Sequence, residues 1–361
     1  MDRREPELIM DQIKTCVDFY SKELPSIIEN PCVNGKELNF KEVNSVYAIG
    51  NGDSLFAAQA VAYGFKEISG INFTPLSALE FFYYVLPTLG RKNPASVIVI
   101  GISASGGSTV VIKAIEEIRQ LYPKINTIGV SGKDGSNLAQ KANYNESVQL
   151  EELGRTPGIR TYAASLAGLF TLACSIAEAR GRKSDLSRSS IIAFLKAAGS
   201  GVEKTIEHVN NIGTELAELT DGPFISCIGS GPDQATAAFS GAKIVEASGV
   251  YATGQDLEEW NHVESFAYPL DSAMIIFANP GSTFKRADSL IKAGKALGHR
   301  VIVVCPDKLH DFDSMADKVL PVFGANHNLL APFIQFLPCT VLSYYLAKRN
   351  KRAMFMSDRG N

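Results

Sequence analysis

Short apolar runs that end in Gly or Ser recur along the chain, and they constrain its fold more than any other feature. Longer segments with a helical period separate them. Strands that are apolar along their whole length are typical of parallel sheets buried on both faces, with helices as crossover connections. The pattern therefore predicts an α/β fold. The runs are VYAIGNGDS, VIVIGISAS, INTIGVSG, FISCIGSG, AMIIFANPG and VIVVCPD.

The two halves of the chain repeat one plan, which indicates an internal duplication. A shift of 179 residues aligns the segment from Val46 with the segment from Ile225. We therefore predict two three-layer α/β lobes over residues 40–190 and 205–350, with a leading helix over 1–30 and a tail over 351–361. The identical pairs are Gly50/Gly229, Gly52/Gly231, Glu67/Glu246, Ser69/Ser248, Gly70/Gly249 and Glu80/Glu259.

Composition argues against several classes of partner. The net charge is −3 with a pI near 6.0, and AKRNKR is the one basic cluster, so we expect no nucleic-acid partner. The six cysteines form no C-x-x-C pair and no zinc spacing, so we expect neither disulfides nor a metal. The first twenty residues are too charged for a signal peptide, and the apolar stretch SLAGLFTLACSIAEA is short for a membrane helix. These features predict a cytoplasmic protein with no membrane partner.

Two Gly/Ser loops in the first half are candidate phosphate sites. The segments GNGDS and SASGGST each follow a predicted strand and precede a helix. Helix N-termini present N–H groups to anions, glycines allow close backbone approach, and small hydroxyls add donors. The alternative is that these residues only form a good loop and helix cap. The candidate phosphate-binding residues are Gly52, Ser54, Ser103, Ser105, Gly106 and Ser108.

Nucleotide cofactors fit the sequence less well. From Gly50 the dinucleotide fingerprint requires a third glycine where Leu55 stands, and the chain has no G-x-x-x-x-G-K-[ST] segment. We therefore expect no cofactor.

The second half carries titratable residues in place of the hydroxyls. Lys243 and Glu246, in GAKIVEASG, are three apart and share one helical face. The stretch DLEEWNHVESF follows, with Glu258, Glu259 and His262. Such a density of acid and base groups suggests proton-transfer chemistry on a phosphorylated small molecule. The alternative is that Lys243 and Glu246 form an ordinary surface ion pair.

These residues together resemble the double-SIS (sugar isomerase) proteins. Within that family they are similar to the isomerase half of glucosamine-6-phosphate synthase and to fructosamine-6-phosphate deglycases and deaminases. SASGGST resembles the S-x-S-G-x-[ST] signature, and GAKIVEASG resembles the G-A-x-K-x-x-E-x-S helix. The spacing from Glu246 to His262 also matches the family's. The resemblance covers nearly the whole chain and implies flavodoxin-like lobes.

The resemblance also implies roles for individual residues. Ser54, Ser103, Ser105 and Ser108 would hold the sugar phosphate. Glu246 would move a proton between C1 and C2, with Lys243 supporting the enolate-like intermediate. His262 would assist ring opening, in some members from the neighbouring subunit of a homodimer.

Several positions depart from the family pattern. Gly107 replaces the signature's usual Glu, Asp53 stands where many members have Thr, and HVE replaces His-Gly-Pro. The synthase's C-terminal lysine and its glutaminase domain have no counterpart in this sequence. We therefore expect a sugar-phosphate isomerase, or a deaminase or deglycase, acting at C1/C2 of a 6-phosphorylated ketose or ketosamine. The alternative is a non-catalytic sugar-phosphate sensor.

Overall fold

The computed structural model describes residues 4–267, 269–281 and 283–359. Residues 1–3 and 360–361, at the ends of the predicted leading helix and tail, lie outside the described residues. The chain divides into two compact units: the first unit comprises residues 22–152 and 160–196, and the second unit comprises the rest of the chain.

Each unit contains one parallel five-stranded sheet with flanking helices. The strands of the first unit are β1 (Ser45–Gly50), β2 (Asn72–Ser77), β3 (Val97–Ser103), β4 (Asn126–Ser131) and β5 (Tyr144–Ser147), in the order β2-β1-β3-β4-β5. Those of the second unit are β6 (Ile225–Gly229), β7 (Ala252–Asp256), β8 (Ala273–Phe277), β9 (Arg300–Pro306) and β10 (Lys318–Val322), in the order β10-β9-β8-β6-β7. Read from the other edge, the second order equals the first. Both are the flavodoxin-like order 2-1-3-4-5, which confirms the predicted fold class.

Helices cover the sheets and make the crossover connections between parallel strands. Their bounds are α1 (Glu7–Lys14), α2 (Cys16–Asp18), α3 (Leu24–Glu29), α4 (Asp53–Ser69), α5 (Ala78–Glu80), α6 (Thr109–Leu121), α7 (Asn137–Lys141), α8 (Arg160–Ala179), α9 (Arg188–Asn211), α10 (Gly213–Leu219), α11 (Pro232–Ser248), α12 (Leu257–His262), α13 (Phe284–Leu297) and α14 (Leu337–Arg349). Short π-helical turns lie at Phe19–Glu23 and Phe81–Val85.

The helix α8 is the longest apolar segment of the first unit. It has 20 residues and a mean hydropathy of 1.4, so by length and composition it could cross a membrane. It is longer than the apolar stretch recognised in the sequence because the helix begins at Arg160. However, 89% of its apolar window is buried inside the protein, where it packs on α3 and α4. A buried core helix has the same length and composition, so this helix is weak evidence for a membrane span.

The duplication is visible in the backbone as well as in the sequence. The helices α4 and α11 both have 17 residues, and the glycines preceding them have nearly the same dihedral angles. Gly52 has φ 53° and ψ −127°, and Gly231 has φ 62° and ψ −126°. At the far end of each helix the hydroxyl of Ser69 or Ser248 donates to the carbonyl four residues earlier. The two units therefore share one strand–turn–helix construction.

Candidate functional site

The two Gly/Ser loops of the first unit follow adjacent strands. GNGDS begins at the last residue of β1 and SASGGST at the last residue of β3, and β1 and β3 pair in parallel. Strand order reverses at this point, because β2 lies on one side of β1 and β3 on the other. Open α/β sheets bind ligands at such a switch point, outside the carboxyl ends of the strands. The six predicted phosphate-binding residues thus lie at the junctions of β1 with α4 and of β3 with α6, and we call them the serine cradle (Gly52, Ser54, Ser103, Ser105, Gly106 and Ser108).

Hydroxyls in the loop after β3 accept hydrogen bonds from its backbone. The N–H of Ser108 donates to Ser103 Oγ at 3.3 Å, and the N–H of Gly107 donates to Ser105 Oγ at 3.3 Å. Because each hydroxyl uses its oxygen as the acceptor, its O–H is left to donate. Ser103 is buried, whereas Ser105 is exposed. The loop therefore offers an exposed O–H donor beside the N-terminus of α6, which suits an anion.

Backbone hydrogen bonds fix the shape of this loop. The N–H of Gly106 donates to Ser103 O at 2.9 Å, and the N–H of Leu138 donates to Gly106 O at 3.0 Å. Gly106 has φ +64°, and a Cβ on it would lie 2.1 Å from Ser136 Oγ. Ser136 in turn caps α7, accepting from the N–H of Ala139. A glycine is required here for both its dihedral angle and its lack of a side chain.

The loop after β1 brings a negative charge next to the cradle. Ser54 is 8% exposed and lies in the first turn of α4, directly after Asp53. A carboxylate there is favourable for the helix dipole. Burial raises the pKa of the neighbouring Tyr162 phenol, and the charge of Asp53 raises it further. The Asp53 carboxylate thus contributes to the electrostatic field at this edge of the sheet.

Lys243 and Glu246 of the second unit form a close pair on α11. Lys243 Nζ donates to Glu246 Oε2 at 2.6 Å. The lysine side chain is 1% exposed, whereas that of the glutamate is 34% exposed. The two residues do share one helical face, as predicted, but the alternative of a surface pair is wrong because the ammonium is buried. A buried ammonium requires compensation, and a charge-assisted hydrogen bond to a carboxylate supplies part of it.

His262 occupies an exposed position at the end of α12. Its Nε2 lies 3.3 Å from Glu258 Oε1, and its side chain is 66% exposed. Arg286 donates to the same carboxylate oxygen at 3.0 Å. The described contacts thus place His262 with Glu258 and Arg286, and a catalytic role for His262 stays a prediction. Trp260, from the same stretch, is buried in the core of the second unit.

Sequence reasoning missed a buried carboxylate at the start of α11. Asp233 is 5% exposed and accepts from Asn279 Nδ2 at 2.6 Å and from the N–H of Asn279 at 3.3 Å. Burial raises its pKa to about 6, and the Asn279 hydrogen bonds oppose that rise. The 179-residue shift aligns Asp233 with Ser54, so the duplication itself was the signal that could have found it. Where the first unit has a cradle hydroxyl, the second unit has a carboxylate.

Among the residues that the structure describes, no group of three or more His, Cys, Asp or Glu side chains is arranged to hold a metal ion.

The chain is similar to known proteins in sequence. Residues 39–167 match the model of the SIS domain. The glutamine–fructose-6-phosphate aminotransferase [isomerizing] of Nostoc sp. (strain PCC 9229) is 24% identical over 319 residues, covering 86% of this chain and 50% of the relative. The chain therefore spans about half the length of the curated relatives it matches.

Solved structures share the fold across nearly the whole chain. The C-terminal domain of glucosamine-fructose-6-phosphate aminotransferase from Francisella tularensis superposes with a TM-score of 0.82 at 16% identity, covering 96% of this chain and 97% of that one. The glucosamine-6-phosphate deaminase from Thermotoga maritima superposes with a TM-score of 0.66 at 17% identity, covering 95% and 96%.

Proposed function

We propose that this chain, which contains a SIS domain and is homologous to about half of an isomerising aminotransferase, is an enzyme of phosphorylated sugars. Its substrate would be a 6-phosphorylated ketose or ketosamine, and its chemistry a proton transfer between C1 and C2. The relatives act as an isomerising aminotransferase and a deaminase by their names, which supports this reaction class.

The buried Lys243–Glu246 pair is the observation that carries the proposal. Proton abstraction beside a carbonyl requires a base within reach and a positive group for the oxyanion that develops. Glu246 is partly exposed and so can meet a substrate, while Lys243 is a buried ammonium 2.6 Å away. A protein that only senses a sugar phosphate has little use for such a pair.

We assign the phosphate to the serine cradle and the proton transfer to Glu246 and Lys243. The proposal includes that the serine cradle, Glu246 and Lys243 act on the same substrate molecule. His262 would donate and accept protons at the ring oxygen when the sugar opens. Glu246 would remove the proton from C1 or C2, giving an enediol or enaminol, and would return it to the other carbon. Lys243 would stabilise the oxygen anion formed in between.

The same proton shift serves both candidate outcomes. With a ketose, returning the proton to C2 gives the aldose. With a ketosamine, it gives an imine at C1; water then adds to C1 and the amine leaves, so that ketosamine and water become aldose 6-phosphate and free amine. An isomerase and an amine-releasing enzyme therefore differ in what C1 carries and in the access of water.

A turnover assay tests the proposal. Purified protein is incubated with fructose 6-phosphate, with and without ammonia, with glucosamine 6-phosphate, and with 6-phosphorylated ketosamines. Glu246→Gln should lower kcat by about 10²- to 10⁴-fold, the typical contribution of a general base. Glu67→Gln is the matched control, because Glu67 occupies the aligned position on α4 in the first unit and is exposed; it should keep wild-type turnover.

Two results would count against the enzyme. Full activity in Glu246→Gln would remove the proposed base. Ligands that raise the melting temperature without any turnover would favour the sugar-phosphate sensor instead.

A further inference from the structure

The Lys243 ammonium lies near an aromatic ring as well as near the carboxylate of Glu246. Lys243 Nζ lies 5.0 Å from the centre of the Phe239 ring, within the range of a cation–π interaction. Phe239 precedes Lys243 by four residues on α11. Because helical side chains point back toward the N-terminus, the aliphatic part of the lysine side chain extends toward the Phe239 ring. The ammonium therefore lies between a ring and a carboxylate.

Packing holds the ring in place. Phe239 is fully buried and meets the ring of Phe336 edge-on, with centroids 5.1 Å apart and an interplanar angle of 81°. Phe336 is itself fully buried, just before α14, and α14 packs along α11. A ring confined in this way presents a constant face to the ammonium.

We propose that Phe239 is a positioning residue that keeps the Lys243 ammonium in place during proton transfer; the inference rests on the function proposed above. When Glu246 takes the substrate's proton it becomes neutral, and Lys243 loses the negative charge 2.6 Å away. The quadrupole of the ring does not change with that proton. Phe239 therefore continues to hold the ammonium at the step where the substrate oxygen needs it, and its effect falls on kcat rather than on KM.

Replacement of Phe239 by Leu tests this role. The variant keeps an apolar side chain but removes the ring face. A cation–π interaction corresponds to a factor that runs from roughly 2 at exposed sites to roughly 30 at desolvated ones, so Phe239→Leu should lower kcat by about 10-fold with KM within about 2-fold. Phe239→Tyr keeps the ring face. The folded Tyr variant should therefore keep most of the wild-type kcat.

Phe312→Leu is the matched control. Phe312 is also a fully buried ring of the second unit and lies 5.1 Å from another ring, that of Phe284, in a core cluster that includes neither Lys243 nor Phe239. Both Leu variants should lose melting temperature to a similar degree, and only Phe239→Leu should lose kcat. Equal losses of kcat in the two variants would overturn the positioning role.

A second measurement does not depend on turnover. The measurement is a double-mutant cycle of urea unfolding with Lys243→Met. The factor by which Phe239→Leu changes the unfolding equilibrium constant should be at least about 3 times larger in the wild type than in the Lys243→Met background. Equal effects in both backgrounds would overturn the contact. Coupling between the two residues without a change in kcat would overturn the positioning role of Phe239 and leave the proposed function standing. Absence of turnover in the wild type would overturn the proposed function, and with it any role of Phe239 in turnover.

Discussion

The charges of the candidate residues differ in what surrounds them. Lys243 is buried against a carboxylate and a ring, while His262, Glu258 and Arg286 meet at the surface of the second unit. Water screens exposed charges, so ion pairs between exposed side chains contribute little to stability. The charge of a buried ammonium is screened less by water, and removing one partner of a buried ion pair strongly lowers the stability of the protein. At the scale of single residues, the strongest electrostatic effect on a substrate is therefore expected from Lys243.

Asp53 should weaken anion binding at the serine cradle. Its carboxylate adjoins Ser54 in the first turn of α4, so it repels a phosphate held there. We expect Asp53→Asn to lower the Kd for a 6-phosphorylated sugar by about 3- to 10-fold at low salt. The same variant should melt slightly earlier, because a first-turn carboxylate contributes about 0.3–1 kcal/mol to its helix. Isothermal titration calorimetry and thermal melting measure the two effects.

Salt provides the control for this prediction. Salt screens a partly exposed charge such as that of Asp53, so the affinity gain of Asp53→Asn should shrink as ionic strength rises toward 1 M. A gain independent of salt, or a loss of affinity, would show that Asp53 does not act through repulsion.

The loop between β3 and α6 is the element that shapes the cradle. Its hydroxyls accept from its own backbone, and its glycine fits against Ser136 in the turn before α7. The cradle therefore depends on two crossover segments that follow neighbouring strands.

Gly106→Ala should distort this element. The alanine Cβ would lie 2.1 Å from Ser136 Oγ and 2.2 Å from Ser136 Cβ. Gly181→Ala is the matched control, since Gly181 also has φ +64° and a Cβ there would meet nothing within 4 Å. The backbone strain is thus common to both variants, and overpacking should make Gly106→Ala about 1–3 kcal/mol less stable than Gly181→Ala. Urea unfolding measures the difference, and a raised Kd for sugar phosphate should accompany it.

The double variant Gly106→Ala with Ser136→Gly separates the two costs. Removing the Ser136 side chain should recover the overpacking part and leave the strain. Equal stability of Gly106→Ala and Gly181→Ala would contradict the role of the contact.

Much of the element-scale structure follows from the sequence. The Gly/Ser endings of β1 and β3 predict loops at the sheet edge, and the 179-residue shift predicts the shared bounds of α4 and α11. The burial of Lys243 does not follow, because a spacing of three residues is the same on a buried and an exposed helical face. The contact between Phe239 and Phe336 does not follow from the sequence either, because the two residues are distant in sequence and meet only where α14 packs on α11. Tertiary packing, not local pattern, decides both.

At the scale of the whole molecule, duplication preserved the construction but not the chemistry. Both units have the same strand order and the same glycine turn before their first long helix. The first unit follows that turn with Ser54, and the second with the buried Asp233. The backbone N–H and the side-chain Nδ2 of Asn279, which follows β8, both donate to that carboxylate. We expect the negative charge of this carboxylate to disfavour an anion at the N-terminus of α11.

We therefore expect one sugar phosphate to bind per chain. At pH 7.5, above the Asp233 pKa of about 6, the second unit carries a negative charge where the first offers a hydroxyl. Calorimetric titration with fructose 6-phosphate should give a stoichiometry near one, and the double variant Ser105→Ala with Ser108→Ala should weaken that single event. Asp233→Asn is the control for charge and should leave the stoichiometry unchanged, because its amide still fills the space beside Asn279. Two binding events per chain would mean that the second unit had kept an anion site of its own. A single event that survives the loss of both cradle serines would mean that the phosphate does not bind at the serine cradle.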